Sequence, residues 1–187
     1  MDEREAIARR TWRRTAVIAV VGLIVGGFVG WVIGHDDSPL LGALTTVGFA
    51  LSFGGFAGAV SIVVSSIGIS TKVRAPMQGL PRPDRRTIGR AIKTSAPIEP
   101  VGSKLGSRAV EQARVMAVYQ PLALGQFLLL YLGLIGQQLP HLVRDDPSSV
   151  WISRTLCSLL VVVAVVTTPV LMRSSRRARR YVRLASA

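Results

Sequence analysis

Four long stretches of the chain contain no charged residue and consist mostly of aliphatic and small side chains. They cover residues 15–34, 38–71, 115–140 and 155–172. A helix of about 20 apolar residues crosses the roughly 30 Å hydrocarbon layer of a bilayer. The pattern therefore predicts an all-α protein, a four-helix transmembrane bundle. We expect its spans at about residues 15–34, 40–70, 119–139 and 150–172.

These spans divide the chain into five regions. We expect a basic N-terminus (1–14), a first transmembrane hairpin (15–71), a basic central segment (72–118), a second hairpin (119–172) and an Arg-rich tail (173–187). The second uncharged stretch is longer than a membrane needs, so it is expected to tilt or to project beyond the bilayer near Ser70. Little chain remains for a separate soluble enzyme domain.

The basic residues lie almost entirely on one side of the predicted spans. The net charge is +13, and the N-terminus, central segment and tail hold 21 of the 23 basic residues. Only Arg144 and Arg154 lie on the other side, in the company of several aspartates. The positive-inside rule places both termini and the central segment in the cytoplasm. We therefore expect a multi-pass protein of a bacterial cytoplasmic membrane.

Small residues recur every four positions in the first two spans. The first span carries Gly22, Gly26, Gly30 and Gly34, and the second carries Ala50, Gly54 and Gly58. Such a ridge lets another helix approach closely, and close backbone packing is a main source of helix affinity in lipid. This glycine-zipper pattern predicts either a tight hairpin of the first two spans or a homo-oligomer.

Polar residues recur at similar depth in the second, third and fourth spans, in the third of each span nearest the basic segments. They are Ser65, Ser66, Gln126, Thr167 and Thr168. One interpretation is a layer of hydrogen bonds between helices. The alternative is the floor of a substrate cavity in a small channel or transporter subunit. No Asp, Glu, Lys or His lies centrally in a span, which argues against a proton-driven transporter.

Both predicted outer loops carry paired aspartates followed by proline. Asp or Ser before Pro is typical of a helix start, and we interpret Ser38-Pro39 and Asp146-Pro147 in this way. An alternative collects the nearby acids and histidines into a divalent-metal site. Its candidate ligands are His35, Asp36, Asp37, His141, Asp145 and Asp146. They follow no strict metal-site spacing, so we expect no metal and no cofactor.

The central segment contains a short sequence of helical periodicity at residues 84–94. Ile88, Ala91 and Ile92 fall on one face, and the basic Arg86, Arg90 and Lys93 fall on the other. Such a helix suits the surface of an anionic inner leaflet. A second helix is expected to start near Ser107 and to lead into the third span.

Six arginines follow the fourth span, and we expect them to contact anionic lipid headgroups. They are Arg173, Arg176, Arg177, Arg179, Arg180 and Arg183. A protein partner is the second possibility. We expect no nucleic acid, because the tail has little aromatic interleaving.

The sequence Leu80-Pro81-Arg82-Pro83-Asp84-Arg85-Arg86 is followed by Ile88, Arg90, Ala91 and Ile92. This stretch resembles a pattern in small uncharacterised multi-span membrane proteins of actinobacteria. In them a leucine-proline pair precedes a short arginine-rich helix between two spans. The resemblance implies a bacterial cell membrane and brings no activity or functional residue with it.

No nucleophile is paired with a base in any spacing that supports catalysis, so we do not expect an enzyme. The expected role is that of a non-catalytic structural, accessory or homo-oligomerising membrane protein. The alternative is the small channel or transporter subunit, which would use the polar layer around Gln126.

Overall fold

A computed structural model describes residues 3–100, 102–143 and 146–185, with side chains for 9–66, 76–100, 102–143 and 146–185. The expectations for the side chains of Arg4, Lys72, Arg144 and Asp145 lie outside this part of the chain. Five α-helices make up most of the structure. They are α1 (Glu3–Ile33), α2 (Pro39–Arg74), α3 (Arg82–Thr94), α4 (Lys104–Gln138) and α5 (Pro147–Ala185).

Four of these helices are long and apolar enough to cross a membrane, namely α1, α2, α4 and α5. The described residues contain no strand. The predicted all-α class with four candidate spans is thereby confirmed. The ends away from the basic segments agree closely with the apolar pattern, since α1 ends at Ile33 and α2 begins at Pro39.

At the basic ends, the helices run well past the apolar stretches. The 39 residues of α5 would extend about 58 Å, nearly twice the hydrocarbon thickness. Charged side chains leave the backbone hydrogen bonds of a helix intact, so α5 does not stop where its apolar stretch ends. The helix expected near Ser107 is the first part of α4, which begins after an N-cap at Ser103 and passes Pro121 without a break.

The four long helices pack in a row, in the order α1, α2, α4, α5. Extensive contacts join each helix to the next, and α1 meets α4 only locally. The bundle is therefore open, because among the described residues α5 makes extensive contacts with α4 and with no other long helix. Large apolar side chains on its other faces, such as Val165 and Val162, are 66% and 57% exposed. Lipid or a partner must cover them.

Glycines set the distance between α1 and α2. A Cβ atom at Gly22 would lie 2.8 Å from the carbonyl oxygen of Phe53, and one at Gly30 would lie 2.8 Å from that of Thr45. At Gly26 a Cβ would collide with the Phe49 carbonyl oxygen. The ridge on α1 therefore packs on α2 of the same chain, which agrees with the hairpin interpretation.

The other small residues of the predicted ridges lie in the same contact. Gly34 faces Gly42, Gly54 faces the Leu23 side chain, and a Cβ at Gly27 would touch that of Ala50 at an ordinary 3.7 Å. Gly58 lies at the edge, between Ala19 of α1 and Leu129 of α4. The glycines of the two predicted ridges are buried within the chain, and Ala50 is half-buried.

A second glycine contact joins α2 to α4. Added Cβ atoms at Gly48 and Gly55 would lie 2.6 Å from the Gly136 carbonyl oxygen and 2.5 Å from the Gly133 amide nitrogen. The buried Ser52 hydroxyl donates to the Gly133 carbonyl at 3.1 Å. The sequence analysis missed this contact, whose signal was the Gly133–Gly136 pair at helical spacing.

The interpretation of Asp146-Pro147 as a helix start is confirmed. Pro147 is the first residue of α5, and the Asp146 carboxylate accepts a hydrogen bond from the Ser149 amide at 3.0 Å. The hydroxyl of Ser148 also donates to this carboxylate, at 2.8 Å. These hydrogen bonds, that of the Ser148 side chain first, hold the pKa of Asp146 below its ordinary value.

Candidate functional site

The short helix α3 and the basic ends of α4 and α5 pack into a small domain outside the spans expected at residues 119–139 and 150–172. We call it the headpiece; it comprises α3, residues 104–118 of α4 and residues 173–185 of α5. Seven buried side chains form its core: Ile88, Ala91, Ile92, Ala109, Ala113, Ala178 and Tyr181. Alanines on α4 and α5 bring the helices close, and the larger residues of α3 fill the space between them.

Tyr181 is the largest fully buried side chain of the described residues. It lies on α5, and its hydroxyl accepts a hydrogen bond from the backbone N–H of Ile98 at 3.4 Å. The segment after α3 is therefore fastened to α5. A buried aromatic ring with a satisfied hydroxyl is typical of a well-packed core. The sequence analysis missed Tyr181, because arginines surround it in the tail.

The apolar face of α3 is buried within the protein. Ile88 is 0% exposed, and Ala91 and Ile92 are 8% and 6% exposed, because α4 and α5 cover this face. The helix was expected to suit the surface of an anionic leaflet, and its apolar face packs on α4 and α5 of the same chain. Only the basic face remains available, where Arg86 and Arg90 are exposed.

A basic cleft of about 610 Å³ opens between the end of α3 and α5. Its lining is Lys93, Thr94, Ser95, Arg176, Arg177 and Arg180. Four of these six residues are cations, and none of them is acidic. The sequence analysis assigned all four cations to lipid contact one by one. The structure brings them together around one volume.

Ser95 shapes the floor of the basic cleft. It ends α3 in the left-handed conformation (φ 57°), and its N–H and that of Ala96 donate to the carbonyls of Ile92 and Ala91. These bonds satisfy the last carbonyls of α3, as C-caps commonly do. The Ser95 hydroxyl donates to the Arg177 carbonyl at 3.4 Å. The end of α3 is thereby fixed against α5.

A second cavity, the apolar groove, adjoins the basic cleft. It has a volume of about 350 Å³ and lies between α1, α4 and α5. Its apolar lining includes Trp12, Leu124, Leu128, Leu171 and Met172. The Trp12 ring lies against Gly125, where an added Cβ would collide with it.

Arg176 and Arg179 line the same groove at its headpiece end. Since α4 and α5 are antiparallel, Leu128 and Leu171 lie at the other end, deeper in the spans. Arg176 belongs to both cavities. The groove is therefore apolar along its length and cationic where it meets the cleft.

Gln120 joins α4 to α5 and lines the apolar groove. Its amide donates to the Ser174 hydroxyl at 2.6 Å, whereas its buried Oε1 has no hydrogen-bond partner. Near the other end of the same two helices, the Ser153 hydroxyl donates to Gln138 at 3.0 Å. The sequence analysis missed both pairs, since only the fold shows which polar residues face each other.

The polar layer expected from the sequence does not form one hydrogen-bonded set in the structure. The hydroxyls of Ser66 and Thr167 donate to carbonyls of their own helices, those of Val63 and Val163. Ser65, Gln126 and Thr168 are half-buried. None of these five residues lines the basic cleft or the apolar groove.

The remaining predicted lipid contacts and the described candidate metal ligands lie away from the two cavities. Arg173 and Arg183 are exposed on α5 outside both cavities. Among the side chains of residues 9–66, 76–100, 102–143 and 146–185, no three of His, Cys, Asp or Glu lie close enough to hold a metal ion. Asp146 is used as the helix cap instead.

The described residues that line the two cavities supply positive charge, and no nucleophile among them is paired with a base. These cavities carry guanidinium and ammonium groups, hydroxyls and apolar side chains, which suit binding of an anion or an amphiphile. No protein-family model, no curated protein and no solved structure matches the chain.

Proposed function

We propose that the chain is a non-catalytic accessory protein of a bacterial cytoplasmic membrane, which holds the headpiece at the inner surface for a membrane-protein partner or a second copy. The observation that carries the proposal is the continuity of α4 and α5, which run from candidate span into headpiece without a break. A core of seven buried residues then ties α3 to both. The headpiece is thereby held rigidly beside the bilayer.

Charge supports the orientation. The basic ends of the spans would lie in the cytoplasm under the positive-inside rule. The open row of helices supports the accessory role, because the outer faces of α1 and α5 stay apolar and uncovered by protein. Ile24 on α1 and Val165 on α5 are 67% and 66% exposed. Such faces suit lipid or the spans of another protein.

Photocrosslinking in the native membrane tests the role. A photoreactive residue replaces Arg86, which is exposed on the basic face of α3, and a control places it at Val165 in the lipid-facing part of α5. We expect one recurrent protein adduct from position 86, either with a partner or with a second copy. Tyr181→Ala should abolish that adduct, because it opens the headpiece core.

Vesicle flux measures the rival role as a channel or transporter subunit. The purified chain in vesicles should add no solute permeability. Flux that disappears with Gln126→Leu, together with the absence of a headpiece adduct, would overturn the accessory role in favour of a permeation path.

A further inference from the structure

The basic cleft concentrates like charges without acidic compensation in its lining. Arg176, Arg177 and Arg180 lie within five residues of α5, and Lys93 faces them from α3. Arg176 and Arg180 are four residues apart, a spacing at which like charges repel on a helix. A cleft lined by one sign of charge focuses the potential and attracts counter-ions. The cleft should therefore bind an anion with more than one negative charge.

The size of the cleft agrees with a large anion. Ligand sites commonly enclose about 300–1,000 Å³, and the cleft has about 610 Å³. Planar guanidinium groups bind phosphate oxygens in pairs, and Lys93 adds a point charge. A headgroup that carries two phosphates fits this volume and this number of cations better than a single phosphate does.

The apolar groove indicates that the molecule that carries the phosphates also has an acyl chain. It runs along α4 and α5, parallel to the direction in which acyl chains lie in a bilayer. From Arg179 to Leu171 it descends eight residues of α5, about 12 Å of helix. Arg176 lines both cavities, so a phosphate beside it would lie above the groove.

We propose that the basic cleft and the apolar groove together bind one anionic phospholipid whose headgroup carries two phosphates, such as diphosphatidylglycerol. The phosphates lie among Arg176, Arg180 and Lys93, and an acyl chain lies along Leu128 and Met172. The inference rests on the proposed placement of the headpiece at the inner membrane surface, and it requires no protein partner.

Native mass spectrometry of the full chain in detergent tests this binding. We expect saturable uptake of diphosphatidylglycerol, at least about tenfold tighter than uptake of phosphatidylglycerol. Removing two juxtamembrane charges weakens attraction to phosphates by tenfold or more. Arg176→Gln combined with Arg180→Gln should show that loss, while Arg86→Gln combined with Arg90→Gln, the matched control outside the cleft, should not. Equal losses in both pairs would mean diffuse attraction and would overturn the site.

A second pair of variants tests whether the ligand is a lipid. Met172→Trp narrows the groove, and Val170→Trp is its control, since Val170 is 60% exposed on the same helix and lies outside the groove. We expect Met172→Trp alone to weaken diphosphatidylglycerol binding by about tenfold. Inorganic pyrophosphate should bind both variants alike. Lipid binding that is unaffected by Met172→Trp and is displaced by pyrophosphate would assign the cleft to a soluble polyphosphate and overturn the lipid.

Two readouts keep the outcomes separate. All four cations of the cleft are exposed, and hydrogen exchange of residues 82–94 should stay unchanged in the Gln variants, which shows that the headpiece remains folded. The crosslink from position 86 should also persist in the chain that carries Arg176→Gln and Arg180→Gln, if the accessory role is correct. Loss of lipid with a retained crosslink therefore concerns the site, whereas loss of the crosslink alone concerns the proposed function.

Discussion

Two regions of this molecule are held together by opposite kinds of contact. Between α1 and α2, backbones meet where glycines leave room, as at Gly22 and Gly30. In the headpiece, side chains such as Tyr181 and Ile88 fill the space among three helices. Lipid tails are as apolar as leucine, so burying leucine gains little in a membrane and close backbone packing matters more. In water, burial of apolar area drives association.

The difference makes the two regions sensitive to different substitutions. The α1–α2 hairpin should lose stability when atoms are added at its glycines, and the headpiece should lose stability when atoms are removed from its core. The headpiece should also tolerate added atoms where one of its glycines faces open space. Four variants test this contrast, in descending order of expected effect.

Tyr181→Ala should have the largest effect. Removing a buried aromatic ring typically costs about 3–5 kcal/mol, and Tyr181 is 0% exposed. We expect the amides of residues 82–94 and 177–185 to lose protection in hydrogen exchange while those of α1 and α2 keep it. Tyr181→Phe is the control and should cost about 1 kcal/mol, the value of one hydrogen bond. Loss of protection in the spans as well would contradict two separately stabilised regions.

Gly26→Ala should destabilise the α1–α2 hairpin by about 1–3 kcal/mol, the usual cost of overpacking. The new methyl group would collide with the carbonyl of Phe49. The neighbouring Gly27→Ala is the matched control, because its methyl group would meet Ala50 at 3.7 Å. Unfolding by denaturing detergent measures both. Equal damage from the two variants would remove the close approach as the cause.

Gly89→Ala should act in the opposite direction. Gly89 lies inside α3, and no atom comes within 4 Å of an added Cβ. Alanine there should stabilise the headpiece by about 0.5–1 kcal/mol, because glycine is the more flexible residue in the unfolded chain. Slower hydrogen exchange in α3 is the expected readout. Faster exchange would show that the headpiece, like the span hairpin, tolerates no added atoms.

Thr15→Val should have the smallest effect. Its hydroxyl hydrogen-bonds that of Ser61 on α2 at 3.3 Å, and both residues are buried. Hydrogen bonds between membrane helices average about 0.6 kcal/mol, so detergent unfolding should shift only slightly. Thr155→Val is the control, because that hydroxyl bonds its own helix at Trp151. A cost above that of Gly26→Ala would make side-chain polarity, rather than glycine packing, the main support of the hairpin.

The spans could be predicted from the sequence because the solvent acts on each residue separately. An uncharged block such as 155–172 indicates a span without any knowledge of its neighbours. The contact of α1 with α2 could also be expected, since a short connection makes them adjacent and Gly26 and Gly30 mark the face. The ends at the basic side could not be predicted, because Arg173 ends the apolar stretch of the sequence but does not end the helix.

The headpiece could not be predicted because its contacts join distant parts of the chain. Ile88 and Ile92 pointed correctly to an apolar face, but nothing in the sequence said that Ala113 and Tyr181 would cover it. The basic cleft shows the same limit. Lys93 and Arg177 were each expected to bind anions, and only the fold places them around one volume.

The unbroken course of α4 and α5 makes these helices stiff levers between the bilayer and the headpiece. Long apolar helices answer a thinner membrane by tilting. Because α3 packs on both helices, any change of angle between them must alter the gap at Ser95 and Arg177, where α3 touches α5. The thickness of the surrounding lipid would thus be coupled mechanically to the spacing of the arginines that line the basic cleft.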